Sequence, residues 1–373
     1  MANSPDVVIV GLGAMGSAAA YHLARRGCKV VGLDRFTPPH AFGSSHGKTR
    51  IIREAYFEHP HYVPLVQRSY ELWNALERSS GRDLLTVTGG LMIGRPDGVL
   101  VTGARRSAEA HSLPYAMLTA AEVSARFPAL RPADDMVAVL EPRAGILFPE
   151  ACVDAHLTLA REHGATLRFD EAVTGWRRDG DGVRVVSANG EFRAAQLLLT
   201  AGSWITSLVP ELKLPFTVER QVIYWFAPRA HPENFAAGRC PIHLWETAPQ
   251  EFIYGFPDLG DGVKLAVHHA GDTTGPDQVQ RNVGDGELAS MRERVRRFVP
   301  DADGELRAAT VCLYTNTPDE HFWIDRHPQH GNVLIASPCS GHGFKFAPVI
   351  GEALADLLID GRSRFDLSLF RRR

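Results

Sequence analysis

Two residues in the second half of the chain, Lys264 and His268, have types and a spacing that could support catalysis. They belong to residues 264–268 (KLAVH), and alternate side chains of a β-strand project from one face. Such a face is most often exposed to solvent, but in a dry site the cation could stabilise negative charge that develops during a reaction. Tyr254 lies ten residues before Lys264. These three residues are therefore candidates for an active site.

A second pair, His342 and Lys345, lies in the glycine-containing segment 340–346 (SGHGFKF). We predict a helix over residues 346–358, with Pro348 in its first turn, where proline is tolerated. The amino-terminal end of a helix stabilises nearby negative charge. A cation at that end opposes the helix dipole, so a purely structural role is a poor explanation for Lys345.

The cysteines point to a reducing environment. There are five, an odd number without a CxxC pair, which favours neither a disulfide framework nor a zinc site. Cys312 lies in the run 311–325 (VCLYTNTPDEHFWID), whereas nothing marks Cys339 as reactive. A lone cysteine is ordinarily a small buried hydrophobe, and spacing alone favours that interpretation for Cys312.

The elements that must position these residues begin near the amino terminus. Residues 7–10 (VVIV) are typical of a buried parallel strand. They lead into a GxGxxG motif formed by Gly11, Gly13 and Gly16. We predict a helix over residues 15–26, whose amino-terminal amides would face a pyrophosphate, and a second strand over residues 29–33. Asp34 follows that strand and can accept the ribose hydroxyls, which favours FAD or NAD over NADP.

The rest of the chain does not continue the alternation of strands and helices that a nicotinamide enzyme of this topology would show. A polar loop occupies residues 38–48, and a strand at 197–199 ends in the small-residue turn 200–204. Aromatic stretches at 222–226 and 251–256 predict an antiparallel sheet. We therefore predict an α/β fold with a discontinuous Rossmann-type dinucleotide-binding domain and an α+β substrate domain. The first domain would comprise residues 1–85, 144–213 and 308–373, and the second residues 86–143 and 214–307.

The charge balance indicates the kind of partner. The 40 basic and 43 acidic residues are well mixed and give a net charge of -3, so nothing favours nucleic acid or an anionic membrane. The first apolar run, residues 7–10, is too short for a signal peptide or a membrane span. The C-terminal residues 371–373 (RRR) match no peroxisomal address. We expect a cytoplasmic protein that acts on small molecules.

The opening motif, the segment around Cys312 and the SGHGFKF segment together resemble one known family over essentially the whole chain. This is the family of monomeric sarcosine oxidases and N-methyltryptophan oxidases, FAD-dependent amine oxidoreductases similar to D-amino-acid oxidase. The resemblance implies a monomer with FAD bonded covalently, through its 8-methyl carbon, to the sulfur of Cys312. It also implies that Arg53 and Lys345 clamp the substrate carboxylate and that Lys264 activates oxygen. On the sequence alone, Arg50 and Arg53 could equally be surface residues one helical turn apart.

The same resemblance assigns the remaining site residues. Those implied in catalysis are Lys264, His268, Arg50, Tyr254 and His342, and Tyr254 is also implied in substrate binding. Those implied in cofactor binding are Gly11, Gly13, Gly16, Asp34, Arg35, Ser44, Thr49, Arg50, Cys312, Gly341, Gly343, Phe344 and Lys345. Lys48 departs from the family pattern, which carries an acid there. Leu244, Trp245 and Tyr224 are candidates for the pocket wall, although the local spacing differs from that of the family.

The activity implied is oxidation of an N-methyl amino acid, first of all sarcosine, to glycine, formaldehyde and hydrogen peroxide by hydride transfer to flavin N5 and reoxidation by dioxygen. The same clamp would serve N-methyltryptophan or another N-methyl or cyclic secondary amino acid. A dehydrogenase with a different electron acceptor would be expected to lack the role of Lys264. A non-catalytic flavin-binding subunit would be expected to lack Arg53, Lys345 or Cys312, and all three are present. None of these functions requires a metal.

Overall fold

The computed structural model describes residues 4–371, so residues 372 and 373 of the C-terminal RRR lie outside the described part. The helices are α1 (Ala14–Arg25), α2 (Tyr62–Ser80), α3 (Val99–Ala110), α4 (Ala120–Arg126), α5 (Pro149–Glu162), α6 (Ile205–Leu208), α7 (Asp285–Phe298) and α8 (Ala347–Ile359). The strands are β1 (Val7–Val10), β2 (Val30–Leu33), β3 (Arg50–Ile52), β4 (Leu85–Val87), β5 (Gly90–Gly94), β6 (Ala116–Thr119), β7 (Val137–Glu141), β8 (Gly145–Leu147), β9 (Thr166–Arg168), β10 (Val173–Asp179), β11 (Gly182–Ser187), β12 (Gly190–Ala194), β13 (Gln196–Leu199), β14 (Thr217–Phe226), β15 (Ile242–Ala248), β16 (Glu251–Asp258), β17 (Val263–His268), β18 (Leu306–Asn316), β19 (Trp323–His327) and β20 (His330–Ser337).

The first strand lies inside a six-stranded sheet with the order β19-β20-β13-β1-β2-β9. β1 pairs in parallel with both β2 and β13. Val7 and Ile9 pack in the core formed with α1, α5 and α8, whereas Val8 and Val10 pack with Val185 of β11 on the other face. Burial on both faces explains the continuous apolar run. The predicted Rossmann-type core is confirmed.

The turn between β1 and α1 depends on glycine. Gly11 has a φ of +93°, and a Cβ placed on Gly16 would lie 1.8 Å from the carbonyl oxygen of Gly11. Because backbone cannot yield as a flexible side chain can, we expect Gly16→Ala to lower the free energy of unfolding by about 2 kcal/mol or more. Urea denaturation would measure the change. Gly175→Ala is the control, since a Cβ there meets no atom within 4 Å, and a loss as large as that of Gly16→Ala would contradict the argument.

The second large sheet has eight strands in the order β18-β14-β17-β16-β15-β5-β7-β6. The predicted antiparallel sheet is confirmed, with one exception, because β15 pairs in parallel with β5. β18 pairs with β14 so that Cys312 lies opposite Gln221. The predicted domain boundary between residues 307 and 308 therefore falls inside β18. The strand that carries Cys312 pairs with β14 in the eight-stranded sheet, and it also forms backbone hydrogen bonds with Gly43 and Ser340 of the predicted first domain.

A small sheet has the order β3-β8-β4. The strands β3 and β4, which lie before and after residues 53–84, therefore both pair with β8. Arg50 lies on β3, opposite Leu147 of β8, and Arg53 follows the end of β3. The alternative in which Arg50 and Arg53 lie one helical turn apart is therefore wrong. The predicted boundary between residues 85 and 86 likewise falls inside β4, which pairs with β8.

Neither a membrane span nor a metal cluster is found in the described part of the chain. No helix within residues 4–371 is long and apolar enough to cross a membrane. Among the same residues, no three or more histidine, cysteine, aspartate or glutamate side chains are grouped so that they could hold a metal ion.

Candidate active site

One cavity of about 440 Å³ extends from the glycine turn to the eight-stranded sheet, a volume within the usual range of ligand sites. Its wall contains most of the residues predicted for the site: Gly11, Gly13, Asp34, Arg35, Ser44, Arg50, Arg53, Tyr254, His268, Cys312, Gly341, His342, Gly343, Phe344 and Lys345. Gly16, Thr49 and Lys264 are not part of the wall. The structure therefore brings both sets of predicted residues, those for the dinucleotide and those for the substrate, to a single cavity.

The carboxyl ends of β1 and β2 form one end of the cavity. Gly13 is the N-cap of α1 and provides no side-chain cap, so the first turn of the helix meets the cavity with its backbone. Asp34 accepts hydrogen bonds from the amides of Leu12 at 2.7 Å and Phe36 at 3.0 Å. Burial raises the pKa of the Asp34 carboxyl. Helix amides and a fixed carboxylate are what the diphosphate and ribose of a dinucleotide require.

Aromatic rings and one ion pair flank this end of the cavity. The guanidinium of Arg35 lies 5.0 Å from the ring centres of both Phe36 and Trp204. Asp277, from the loop after β17, pairs with Arg35 at 3.1 Å and accepts a hydrogen bond from the Trp204 indole at 2.8 Å. Arg35 is thus held at the cavity wall by contacts from two separate parts of the chain.

β18 presents Cys312 and Tyr314 to the cavity because residues two apart on a strand point to the same side. Burial raises the pKa of the Cys312 thiol, while the cations Arg50 and Lys264 act against this rise. Cys339 also lines the cavity, and burial raises its pKa to about 11. The cations distinguish Cys312, because nearby positive charge favours the reactive thiolate.

Arg53 and Lys345 meet at the ring of Tyr56, 4.4 Å and 5.2 Å from its centre. The Arg53 guanidinium donates to both carboxylate oxygens of Glu58, at 2.7 and 2.8 Å. Burial alone would raise the pKa of Glu58, but Arg53 outweighs it and lowers the pKa. The positive charge of Arg53 and the negative charge of Glu58 cancel, so a protonated Lys345 leaves one positive charge at this wall. That charge suits a carboxylate, as do the Arg53 N–H groups that remain after Nη2 donates to Glu58 and Nη1 to the Ala55 carbonyl oxygen at 3.1 Å.

His342 supports this wall without carrying charge. Its Nδ1 accepts a hydrogen bond from the Tyr56 hydroxyl at 2.6 Å, and its Nε2 donates to the carbonyl oxygen of Glu320 at 3.0 Å. Burial lowers the pKa of His342 to about 3, so the imidazole is neutral. The ammonium of Lys345 donates to the His342 carbonyl oxygen at 2.7 Å. His342 therefore orients both Tyr56 and Lys345.

The protonation of Lys345 predicts a pH dependence. Burial, reinforced by Arg53, lowers the pKa of Lys345 to about 7. The ammonium is therefore present below pH 7 and lost above it, so we expect the dissociation constant of acetate to rise by up to about tenfold per pH unit above 7. Perturbation of the absorbance of the flavin that the resemblance implies would report binding. In Lys345→Met the dissociation constant should stay constant over the same range; an equal rise in the variant would assign the effect to another group.

Tyr254, His268 and Tyr314 form a neutral group on the sheet side of the cavity. The Nδ1 of His268 lies 3.1 Å from the hydroxyl oxygen of Tyr314, and the rings of His268 and Tyr254 are 6.3 Å apart. Burial lowers the pKa of His268 well below its usual value and raises that of Tyr254 to about 12. These side chains shape the cavity and offer hydrogen bonds rather than charge.

Lys264 lies behind the wall, with only 2% of its surface exposed. Its ammonium donates to the carbonyl oxygens of Gly47 at 2.8 Å and Thr49 at 2.7 Å, and to the Thr49 hydroxyl at 2.9 Å. Burial lowers the pKa of Lys264 well below its usual value, whereas these three acceptors favour the protonated form. The structure thus places Lys264 against the loop that precedes β3, next to Arg50 rather than on the cavity surface.

Comparison with known proteins decides the family. Residues 6–357 match the model of the DAO family, described as FAD dependent oxidoreductase. The chain belongs to this family. It is 47% identical over 374 residues to a monomeric sarcosine oxidase of Streptomyces avermitilis, covering 99% of this chain and 97% of that protein. It is 36% identical over 371 residues to an N-methyl-L-tryptophan oxidase of Escherichia coli, covering 98% of each. Its fold is similar to that of NikD, an unusual amino acid oxidase, with a TM-score of 0.87 at 26% identity over 100% of this chain and 98% of that one.

The residues of the cavity fit the FAD of this family. At Gly13 an added Cβ would meet only the Ser45 hydroxyl, at 3.5 Å, so the backbone there is open to a close ligand. The turns at Gly13 and at 200–204 and the carboxylate of Asp34 would hold the adenosine diphosphate half. The helix α8 and the 3-10 turn Phe344–Phe346 before it would lie beside the flavin half, where Cys312 also lines the wall.

Some cavity residues were missed in the sequence, and others were misplaced. Leu244 lines the cavity, but Trp245 and Tyr224 lie in the hydrophobic core away from it. Tyr314 could have been found, since it lies two residues after Cys312 in the same strand. Glu58 could not have been found, because it lies in the irregular segment between β3 and α2. No sequence periodicity there predicts which way its side chain points.

Proposed function

We propose that this chain is a flavin oxidase of N-methyl amino acids and that its preferred substrate is sarcosine. The observation that carries the proposal is the meeting of Arg53 and Lys345 in a cavity that also contains the dinucleotide turn and Cys312. The 47% identity to a monomeric sarcosine oxidase supports it. We further propose a cytoplasmic monomer with FAD attached covalently to Cys312, and a division into the two predicted domains, with β18 assigned to the sheet of the second.

In this proposal the protein positions the substrate. Arg53 and Lys345 bind the carboxylate, and the one positive charge that Glu58 leaves unbalanced at this wall disfavours the protonated substrate amine, which promotes loss of its proton. Bound FAD would accept a hydride equivalent from the N-methyl carbon and pass the electrons to dioxygen to give hydrogen peroxide. The imine released would hydrolyse to formaldehyde and glycine. Lys264 would stabilise the negative charge that develops on dioxygen.

The second candidate substrate is N-methyltryptophan, favoured by the full-length similarity to an N-methyl-L-tryptophan oxidase. The clamp would be shared, and only the wall would differ. Phe57 and Phe252 form part of that wall, with ring centres 5.5 Å apart. They are the side chains that a bulky substrate would have to displace.

Anaerobic titration tests the proposal. Purified protein would be mixed with sarcosine and, separately, with N-methyltryptophan while the flavin absorbance is followed. Bleaching by sarcosine supports the first substrate. Bleaching by N-methyltryptophan alone supports the second. No bleaching by either, with flavin present, would contradict an oxidase of N-methyl amino acids.

A further inference from the structure

Glu150 and Lys264 both form hydrogen bonds with the same loop segment, residues 47–49. It lies in the first turn of α5 and is half-buried. Its Oε1 accepts hydrogen bonds from the amides of Gly47 at 2.7 Å and Lys48 at 3.1 Å. The carbonyl oxygens of Gly47 and Thr49 in turn accept from Lys264. The carboxylate therefore binds the amides of Gly47 and Lys48, and the ammonium binds the carbonyls of Gly47 and Thr49.

The backbone of this segment needs such support. The backbone of both Gly47 and Lys48 lies in the left-handed region, with φ angles of +100° and +67°. For a lysine this conformation costs about 1 kcal/mol or more, so outside contacts must stabilise it. The fit is also close, because a Cβ on Gly47 would lie 3.1 Å from Ile223 Cδ1, and two carbonyl oxygens of the segment bind the Lys264 ammonium directly. A small movement of the segment would therefore move the ammonium.

We propose that Glu150 is a positioning residue for Lys264, acting through residues 47–49 on the reaction of the reduced enzyme with dioxygen. This inference rests on the proposed oxidase function. Glu150 does not line the main cavity; it lines a second one, together with Gly47, Lys48 and Trp225. Its effect on catalysis is therefore indirect.

The charge of Glu150 gives the proposal a distinctive signature. The charged or titratable groups that act on Lys264 are Arg50, Cys312, Glu150 and the neighbouring His46. Arg50 lowers the pKa of Lys264, whereas Glu150 raises it. Removing the negative charge lowers that pKa further, so the ammonium is lost at a lower pH. In Glu150→Gln the fall in the rate of reoxidation at high pH should move to lower pH.

Three variants test the role. Glu150→Ala removes the hydrogen bonds and the charge, Glu150→Gln retains an accepting oxygen, and Glu162→Gln removes a charge from the exposed end of the same helix. Each enzyme, reduced with dithionite, would be mixed with dioxygen over a range of pH. We expect reoxidation of Glu150→Ala to be about tenfold slower at neutral pH, with reduction by sarcosine close to that of the wild type. Glu162→Gln should be unchanged in both reactions.

Hydrogen exchange supplies a readout independent of turnover. In Glu150→Ala the amides of Gly47 and Lys48 should exchange at least about tenfold faster than in the wild type, and in Glu150→Gln they should stay protected. Unchanged reoxidation in Glu150→Ala would overturn the proposal, as would equal slowing of reduction and reoxidation. Failure of the oxidase function is distinguishable, because the wild type would then not be reduced by sarcosine, whereas the dithionite and exchange experiments do not depend on the substrate.

Discussion

Lys264→Met is expected to slow the reaction of the reduced enzyme with dioxygen by about 10²- to 10³-fold, the usual effect of removing one preorganised group that stabilises developing charge. Lys264 is a buried cation with fixed hydrogen bonds, so it needs no reorganisation when charge develops nearby. In the proposed mechanism, reduction by an amino acid depends instead on Arg53 and Lys345, so we expect its rate to change little. Stopped-flow absorbance of the two half-reactions, measured separately, checks this result.

The controls separate charge from packing. Methionine removes the Lys264 donor, but the Gly47 carbonyl oxygen still accepts from the Thr49 amide at 2.8 Å and the Thr49 carbonyl oxygen from Arg50 Nη1 at 2.8 Å, so neither is left without a partner. Lys264→Gln retains a donor without the charge and should react with dioxygen as slowly as Lys264→Met. Lys29→Met removes an exposed lysine outside this segment and should leave reoxidation unchanged. Normal reoxidation in Lys264→Gln would contradict a role for the positive charge.

The cofactor end of the fold could be predicted because local sequence determines it. The run of residues 7–10, the glycine turn and Asp34 each have a conformation or a role that only a few residue types allow. The predicted helix over residues 15–26 and the predicted strand over residues 29–33 agree with α1 and β2 to within one residue at each end. Here local propensity and tertiary structure favour the same result.

The substrate side could be predicted only in part, because long-range pairing decides it. Strand alternation placed Lys264 and His268 on one face, yet His268 lines the cavity while Lys264 bonds to the loop before β3. No periodicity indicates that partner, which lies more than 200 residues away in the sequence. The parallel pairing of β15 with β5 is a similar case, because register between distant strands is not encoded locally.

Cys312→Ser is expected to abolish covalent attachment of FAD while leaving non-covalent binding in place. A serine hydroxyl is not ionised at neutral pH and is a poor nucleophile, whereas the adenosine diphosphate half would still be held at Gly13 and Asp34. Acid precipitation tests this directly: the flavin should remain in the wild-type pellet and pass into the supernatant of Cys312→Ser. Intact-protein mass would confirm the loss.

Cys339→Ser is the matched control, because both thiols line the same cavity and are raised in pKa by burial. Cys339→Ser should retain covalent flavin, because Cys312, the proposed attachment site, is unchanged. If covalent flavin were lost in Cys339→Ser but kept in Cys312→Ser, Cys339 would be the attachment site instead. The raised pKa of Cys312 adds a kinetic test, because the thiolate is then the minor form at neutral pH. Attachment to apoprotein mixed with FAD should therefore accelerate with pH, by up to about tenfold per unit below that pKa, and a flat profile would contradict attack by the thiolate.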